Sequence, residues 1–391
     1  MDEGRAYGRA PGTSDAELVE TGAGTPAGEL LRRYWQPVAL SSEATDVPRE
    51  VRLLGEDLVL YRSFDGTPGL LEPRCCHRGT SLFFGRVEQD CIRCPYHGWA
   101  FGADGICVDQ PCEPDRPDRG DRNRNVHRQP WYPLHEFGGV IFTYMGPPGK
   151  QPDFPRYDIF EDIGDDEELH VVDHFAFGGP NVAPCNWFQT HENVMDPYHV
   201  FILHNAMSGP QFDPRLATWP EIDWHVHELG VTSTQDRVLD DGTTLHRVTE
   251  TRFPNIRVVA TPTLAYLGKT NNISWAQPID DTHTRVFCIL RIPKGAPPQG
   301  LGTYGPDAKS WFELSDSEHQ LYPGDYETQV SQGPVTLHSE ERLSSTDRGV
   351  SMVRRQWKQQ LRVLAEGGDP VGVTFDGGEP IELLAGNYIV D

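Results

Sequence analysis

Cys75-Cys76-His77 and, after sixteen intervening residues, Cys94-Pro95-Tyr96-His97 give the pattern C-x-H followed by C-x2-H, and no other feature restricts the fold as strongly. Each half must be a tight loop delivering one thiolate and one imidazole. Six of the eight Cys (75, 76, 91, 94, 107 and 112) crowd into 38 residues, while Cys185 and Cys288 stand alone. In a long chain such crowding points to metal chemistry before disulfides. Two Cys with two His are the donors of a [2Fe–2S] cluster in which sulfur holds one iron and nitrogen the other, neutral imidazole raising the reduction potential. Cys75, His77, Cys94 and His97 are the candidates. A structural zinc site competes, because Cys91-x2-Cys94 is a C-x2-C pair that His77 or His97 could complete. Zinc does not require the interleaved order, and zinc ribbons usually present two similar knuckles, whereas these loops differ. Cys76, Cys91, Cys107 and Cys112 are spare thiols in either case, expected to pack. Gly79 and Gly98 are expected to remove side-chain bulk so that backbone N–H groups approach the sulfides, and Pro95 to stiffen its loop.

At 391 residues the chain suits two domains. Gly28 to Tyr34 (GELLRRY) has apolar residues at helical spacing and closes a helical lead-in over residues 1–35. Strand signals then take over. Val51 to Arg62 reads as two strands around a Gly55-Glu56-Asp57 turn, Gly69-Leu70-Leu71 continues the pattern, and Trp99-Ala100-Phe101 before Ala103-Asp104-Gly105 looks like another hairpin. Gly139 to Tyr144 is a further strand, and Gly146-Pro147-Pro148-Gly149, with Pro152 and Pro155, is the clearest linker. An all-β domain over 36–150 follows. The charged stretch Arg116 to Arg128 reads as a solvated excursion and the acidic run Glu161 to Glu168 as solvated surface. Over 151–391, strand-like stretches such as Arg257-Val258-Val259-Ala260 and Thr284 to Leu290 alternate with helical ones around Trp187 to His204 and Gly349 to Glu366, which predicts an α+β second domain.

The second candidate centre lies in the first of those helical regions. Asn193, Asp196 and His199 recur every three residues, which on a helix puts them on one face, and His204, five further on, needs a bend or a long reach. Two His from one segment and a carboxylate from elsewhere make the 2-His-1-carboxylate facial triad, which leaves coordination positions open on Fe(II) for dioxygen. Two His on a segment are more often packing or surface residues than ligands. This polar stripe, however, is embedded in Trp187, Phe188, Val194, Met195, Tyr198, Phe201 and Leu203, and buried polar groups must be paired or metal-bound.

Charge excludes other classes. Lys plus Arg number 34 against 58 Asp plus Glu, a formal charge of -24 that repels nucleic acid and anionic membrane surfaces. The acidic balance serves solubility and is compatible with a basic electron-transfer partner. The sequence has no run of about 18 apolar residues, and its start, Met1-Asp2-Glu3-Gly4-Arg5, lacks the features of an export signal, so a cytoplasmic location is expected.

The two motifs in this order resemble the oxygenase component of Rieske non-haem iron oxygenases, particularly the phthalate and vanillate type, over nearly the whole length. The resemblance includes Arg33-Tyr34-Trp35-Gln36-Pro37-Val38, the second loop extended to Gly98-Trp99, and Asn193 with Asp196-x2-His199-x4-His204. It implies an N-terminal all-β Rieske [2Fe–2S] domain followed by an α+β catalytic domain with a curved antiparallel sheet and helices. It further implies His199 and His204 as ligands of a mononuclear Fe(II), and Asp196 as the acid that bridges a Rieske histidine of a neighbouring subunit to His199, with Asn193 beside it. The third ligand comes late in such chains, and the matching place is Gly324-Asp325-Tyr326-Glu327-Thr328-Gln329, with the register on Asp325 and Glu327 as the alternative. A homotrimer is implied, fed by a flavin/iron–sulfur reductase or a ferredoxin, so that NAD(P)H acts only indirectly, with O2 and a small aromatic, carboxylated substrate. Residue types do not choose between O-demethylation, monohydroxylation and cis-dihydroxylation. A non-enzymatic Rieske electron carrier is the alternative, and it would need only the first domain.

Overall fold

A computed structural model describes residues 8–112, 126–175, 178–209, 211–296 and 302–391. The Arg116 to Arg128 stretch lies, as far as residue 125, outside the described residues. The N-terminal part is built from three small antiparallel sheets. In one, Trp35–Leu40 pairs with Val140–Tyr144, which pairs with Leu134–Phe137. In the second, Arg49–Leu53, Glu56–Arg62 and Pro68–Leu71 form a meander. Its first turn falls on Leu54-Gly55, both with positive φ (51° and 76°), rather than on Gly55-Glu56-Asp57. Two residues with positive φ match the twist of a two-residue hairpin, so the second strand resumes at Glu56. The third sheet joins Arg86–Val87, Ile92–Arg93, Ala100–Phe101 and Cys107–Asp109. The expected lead-in helix spans Pro26–Leu31, earlier than its apolar spacing suggests, because the Thr25 hydroxyl caps it by accepting from Gly28 N and Pro26 occupies its first position.

The C-terminal part is organised by a ten-stranded antiparallel sheet. Its main path runs Glu167–Val172, His283–Pro293, Asn272–Asp280, Ile256–Val259, Thr244–Arg252, Gly230–Val238 and Glu221–His227, and Gly386–Val390 pairs with Thr244–Arg252. Successive side chains of a strand point to opposite faces. On one face Ile256, Val258, Ile273, Trp275, Phe287 and Ile289 form a core that also takes in Trp35, Phe142 and Tyr144 of the N-terminal part. The other face lines a cavity. Segment 145–157 has no strand and only a short turn of helix at Pro148–Lys150, yet it is anchored, since Trp35 Nε1 donates to Pro152 O at 3.0 Å. The acidic run is partly structural: Glu167 and Glu168 open a strand, Glu161 pairs with Arg156, and Glu167 pairs with Arg291.

The helix Arg348–Ala365 sends Val353, Trp357 and Leu361 into a core shared with Trp187, Phe188, Trp224 and Phe253 and with Leu30, Leu53 and Leu60 of the N-terminal part. This packing fixes Trp187–Glu192, the helix from which the histidine segment continues. No helix among the described residues is long and apolar enough to cross a membrane.

Candidate functional site

Both cluster loops are built on one plan. In Cys75 to Gly79 and in Cys94 to Gly98 the glycine N–H donates to the carbonyl of the cysteine four residues earlier, at 2.8 and 3.1 Å. Gly79 and Gly98 both have φ near +75° (77° and 75°), and this left-handed turn is what they supply. Bulk is not the issue at Gly79, where an added Cβ would meet nothing within 4 Å, whereas at Gly98 it would strike Pro111 Cγ at 2.6 Å. The thiols of Cys75 and Cys94 are buried at 2% and 3% exposure in a core with Leu71, Ile92, Trp99 and Phe101, while His77 is exposed and His97 half-buried. Burial above all, with the facing Cys94, pushes the Cys75 thiol up to about 12, and the His77 backbone N–H donates to it. The two imidazole rings lie 4.6 Å apart, His77 stacked on Trp99 at 4.5 Å.

Thus two sulfurs meet at the floor and two imidazoles at the rim, the arrangement a [2Fe–2S] cluster with one sulfur-held and one nitrogen-held iron requires. Two braces not singled out in the sequence hold the loops. Gln129 accepts from Cys76 N at 2.8 Å and donates to Glu72 O and Arg74 O, and Arg93 donates to Gly98 O while pairing with Glu88 and Asp109. Cys91 and Cys107 are buried and Cys76 and Cys112 exposed.

The second centre brings together residues far apart in sequence. Nε2 of His199 lies 3.6 Å from Asp325 Oδ1, and Nε2 of His204 lies 3.5 Å from Asp325 Oδ2. One donor atom from each of the three falls within 4.8 Å of the others. Donors each about 2.1 Å from a single first-row ion stand about 3 Å apart at right angles, so an ion fits between them with a small contraction. The remaining ring nitrogens are committed. Nδ1 of His204 meets Gln211 Oε1 at 2.7 Å, and Nδ1 of His199 meets the Asp196 carbonyl, with Asp196 Oδ2 at 3.7 Å. A proton held at Nδ1 by an oxygen leaves the Nε2 lone pair for a metal. The donor set therefore fits a mononuclear iron.

The local backbone explains how the spacing works. The helix does not run continuously through Asn193, Asp196 and His199, as their three-residue repeat suggests, because it breaks at Asp196-Pro197, where Asp196 has φ -108° and ψ 83°. A new turn starts at Tyr198–Phe201 and widens over Ile202–Met207 into a π-helical turn, with Ser208 N donating to Leu203 O at 3.1 Å. In an α-helix residues five apart point about 140° away from each other. The wider turn swings His204 back beside His199, with ring centroids 5.4 Å apart.

Asp325 begins the helix Asp325–Ser331, and its Oδ1 accepts from Asn193 Nδ2 at 3.3 Å and Gln329 Nε2 at 3.2 Å. Glu327 turns away and accepts from Trp311 Nε1, His319 Nδ1 and Gly324 N, so it is Asp325 that the fold brings to the imidazoles. Burial favours the neutral acid at Asp325, but His204, His199 and Arg257 hold its carboxyl far below the usual range. Burial likewise opposes charge on His199, yet Asp196 and Asp325 outweigh it and raise its pKa to about 9. Gln211, with Phe212 stacked on His204 at 3.9 Å, went unnoticed in the sequence, where nothing marks a residue seven positions away as a partner. A second acidic cluster, Glu192, His338 and Glu341, already has its cation, since Arg354 pairs with Glu192 at 2.6 Å and also with Glu341.

The triad opens onto a cavity of about 340 Å³ between the histidine segment and the polar face of the large sheet. Asp196 and Asn193 line it and also line a second, more open groove with Gln189, Glu192 and Arg354.

Comparison with known proteins accords with this geometry. The Rieske [2Fe-2S] domain model matches residues 34–129. The phenoxybenzoate dioxygenase subunit alpha of Ectopseudomonas oleovorans is 46% identical over 98% of this chain and 94% of its own length. The tert-butanol monooxygenase / tert-amyl alcohol desaturase oxygenase subunit of Aquincola tertiaricarbonis is 37% identical over 87% of this chain and 75% of its own. Among solved structures, Pseudomonas putida CBB5 NdmA superposes with a TM-score of 0.62 at 19% identity, covering 90% of this chain and all of that one, a likeness of fold.

Proposed function

The chain belongs to the Rieske non-haem iron oxygenases as an oxygenase alpha subunit, and from that premise we propose that it oxidises a small aromatic, carboxylated substrate at an iron held by His199, His204 and Asp325. It is the oxygenase component of a multicomponent system and takes its electrons from a reductase or ferredoxin. A pure electron carrier does not fit, since the relatives match over both parts of the chain. When bound, the [2Fe–2S] cluster passes single electrons and the mononuclear iron directs dioxygen at the substrate.

The carrying observation is that two imidazoles and a carboxylate converge on the wall of a cavity in a chain that also presents paired cluster loops. Cys75 and Cys94 would hold the inner iron of the cluster and His77 and His97 the outer one. Asn193 and Gln329 orient Asp325, Gln211 orients His204, and the cavity offers walls against which a substrate can be positioned. The aromatic acid rests on the name of the Ectopseudomonas relative and on the cationic cavity wall described below.

We further place the division between cluster domain and catalytic domain near residue 150, in a homotrimer with a cytoplasmic location. The reading is supported by two accessible features of one chain that an assembly could bring together. His77 and His97 sit at a rim where exposed Tyr96 (56%) lies against His97, and Asp196 lines an open groove. An electron path from His97 of one subunit through Asp196 to His199 of its neighbour would use both. The test is acid-labile sulfide and iron analysis with low-temperature EPR, joined to turnover of benzoates, phenoxybenzoates and aryl methyl ethers with a surrogate reductase. Cluster plus one further iron per chain and a diol, phenol or formaldehyde product are expected. Colourless protein without sulfide would overturn the assignment.

A further inference from the structure

We infer that Arg257 is the specificity-determining residue of the cavity, binding the carboxylate of an anionic aromatic substrate through its guanidinium; this deepens the oxygenase reading and rests on it. Arg257 lies in Ile256–Val259, where Ile256 and Val258 enter the core and Arg257 and Val259 line the cavity. In register across the next two strands, Arg257 stands opposite Ser274 and Ser274 opposite Cys288, and all three line the cavity as one row. The guanidinium lies deep in the protein, so what surface it exposes opens into the cavity, and burial is the main influence lowering its pKa, countered by Asp325. Arginine nevertheless stays charged at neutral pH. Its Nε is buried without a hydrogen-bond partner, and no carboxylate among the described residues lies within ion-pair distance of it.

Elsewhere the deep arginines have hydrogen-bonding partners, not always acids: fully buried Arg237 donates to Gln235 Oε1 and the Thr218 carbonyl. Arg252 meets Glu250 at 2.9 Å, Arg32 meets Glu56 at 2.8 Å, Arg285 meets Asp173 at 2.6 Å, and Arg354 meets Glu192 at 2.6 Å. Arg247, the other arginine on the cavity wall, has one NH group on Asn387 Oδ1 and the other on the Ala260 carbonyl, both at 2.6 Å. An isolated buried charge is costly and is retained where a partner arrives from outside.

The charge balance agrees. A divalent ion with Asp325 and two neutral imidazoles leaves one positive charge, and Arg257 adds another. Of the other charged groups lining the cavity, Asp173 is spent on Arg285, and the negative charge of Asp196 is offset by the positive charge of Arg247. In a chain of net charge -24 the cavity wall is thus locally cationic, able to draw in an anion that the outer surface repels. A carboxylate matches a guanidinium through two parallel hydrogen bonds, and Val200, Val259, Val286, Leu290 and Phe212 offer the apolar surface an aromatic ring needs.

The test compares benzoate and 3-phenoxybenzoate with the corresponding amides, by calorimetry under anaerobic conditions and by turnover, in the wild type, Arg257→Gln and Arg257→Lys, with CD spectra and iron content confirming the fold. In the wild type the acid binds more tightly than its amide. Arg257→Gln raises Kd and KM for the acids roughly 100-fold, kcat changing far less, and leaves amide binding in place. Arg257→Lys keeps the charge without the fork and recovers part of the preference. An acid-over-amide preference that survives in Arg257→Gln, or is missing in the wild type, overturns the inference. Should Arg257→Gln fail to fold, the wild-type and Arg257→Lys affinities decide it by the same criterion. Iron-loaded wild type that binds acids but oxidises none refutes the oxygenase reading instead, since the calorimetric comparison does not depend on turnover.

Discussion

The candidate cluster donors fall between Cys75 and His97 and are presented by two turns of one design, with sulfur on the buried side and imidazole at the surface. The candidate iron donors span His199 to Asp325, and there the imidazoles are turned inward, with side-chain exposures of 19% and 1%, onto a carboxylate at 8%. A centre that only receives and hands on electrons can be local, because outer-sphere transfer needs a donor edge near the surface. A centre where substrate and dioxygen meet must be walled, and walls come from many strands. The same residue type, histidine, is therefore set in opposite environments by the two halves.

The sharpest way to break this contrast is to remove the distant donor. Asp325→Ala should release the mononuclear iron and lower turnover at least about a thousandfold while leaving the cluster EPR signal unchanged, and Glu327→Gln should keep its iron. Loss of the cluster signal as well would show that the two centres are not independently built. A smaller effect is expected from Asp196→Asn, which keeps both iron contents but should slow transfer between centres about a hundredfold. In a single-turnover experiment the prereduced cluster would stay reduced in the presence of substrate and oxygen, and prompt reoxidation would sink the proposed bridge.

The smallest effect concerns stability. His191 is buried beside Trp187 and Trp357, and burial, with Arg257, lowers its pKa to about 3. Between that value and its unfolded value of about 6.5 the unfolded chain binds a proton that the folded chain does not. Its stabilising share is hence complete above about pH 6.5 and is lost as pH falls toward 3, by at most ~1.4 kcal/mol per pH unit. Urea midpoints at pH 7 and pH 5 should draw closer together in His191→Phe than in the wild type. His227, lowered to about 4 mainly by burial, will maintain part of the slope. An unchanged gap would remove His191 from the account.

The same contrast explains what could be read in the sequence. The cluster loops were legible because spacing alone specifies two tight turns, and the strands at 51–62, 139–144 and 284–290 because they are short runs rich in β-branched and aromatic residues, although their burial does not alternate cleanly. His199 and His204 were visible as a pair, but not the π-helical turn that reconciles them, since no local residue signal encodes an i→i+5 bond. Asp325 was located by resemblance rather than by pattern. Gln129, Gln211 and Arg257 stayed hidden for one reason: each matters through a partner or cavity that tertiary folding assembles, and Arg257 reads in sequence as one charge at the edge of an apolar run. The glycines of the two loops were noticed for bulk, which matters at Gly98 but not at Gly79, whereas backbone handedness is what both turns demand.

The widened turn over Ile202–Met207 bears on how such a segment can change over generations. Dropping one residue between Val200 and Leu203 would rotate everything beyond it by about 100° and shift it by about 1.5 Å, carrying His204 off the ion. Exchanging a side chain there leaves the backbone register unchanged. Apart from His204 itself, this stretch should thus accept drift in spelling while refusing insertions and deletions, so its length is as much a heritable part of the site as the ligand it carries.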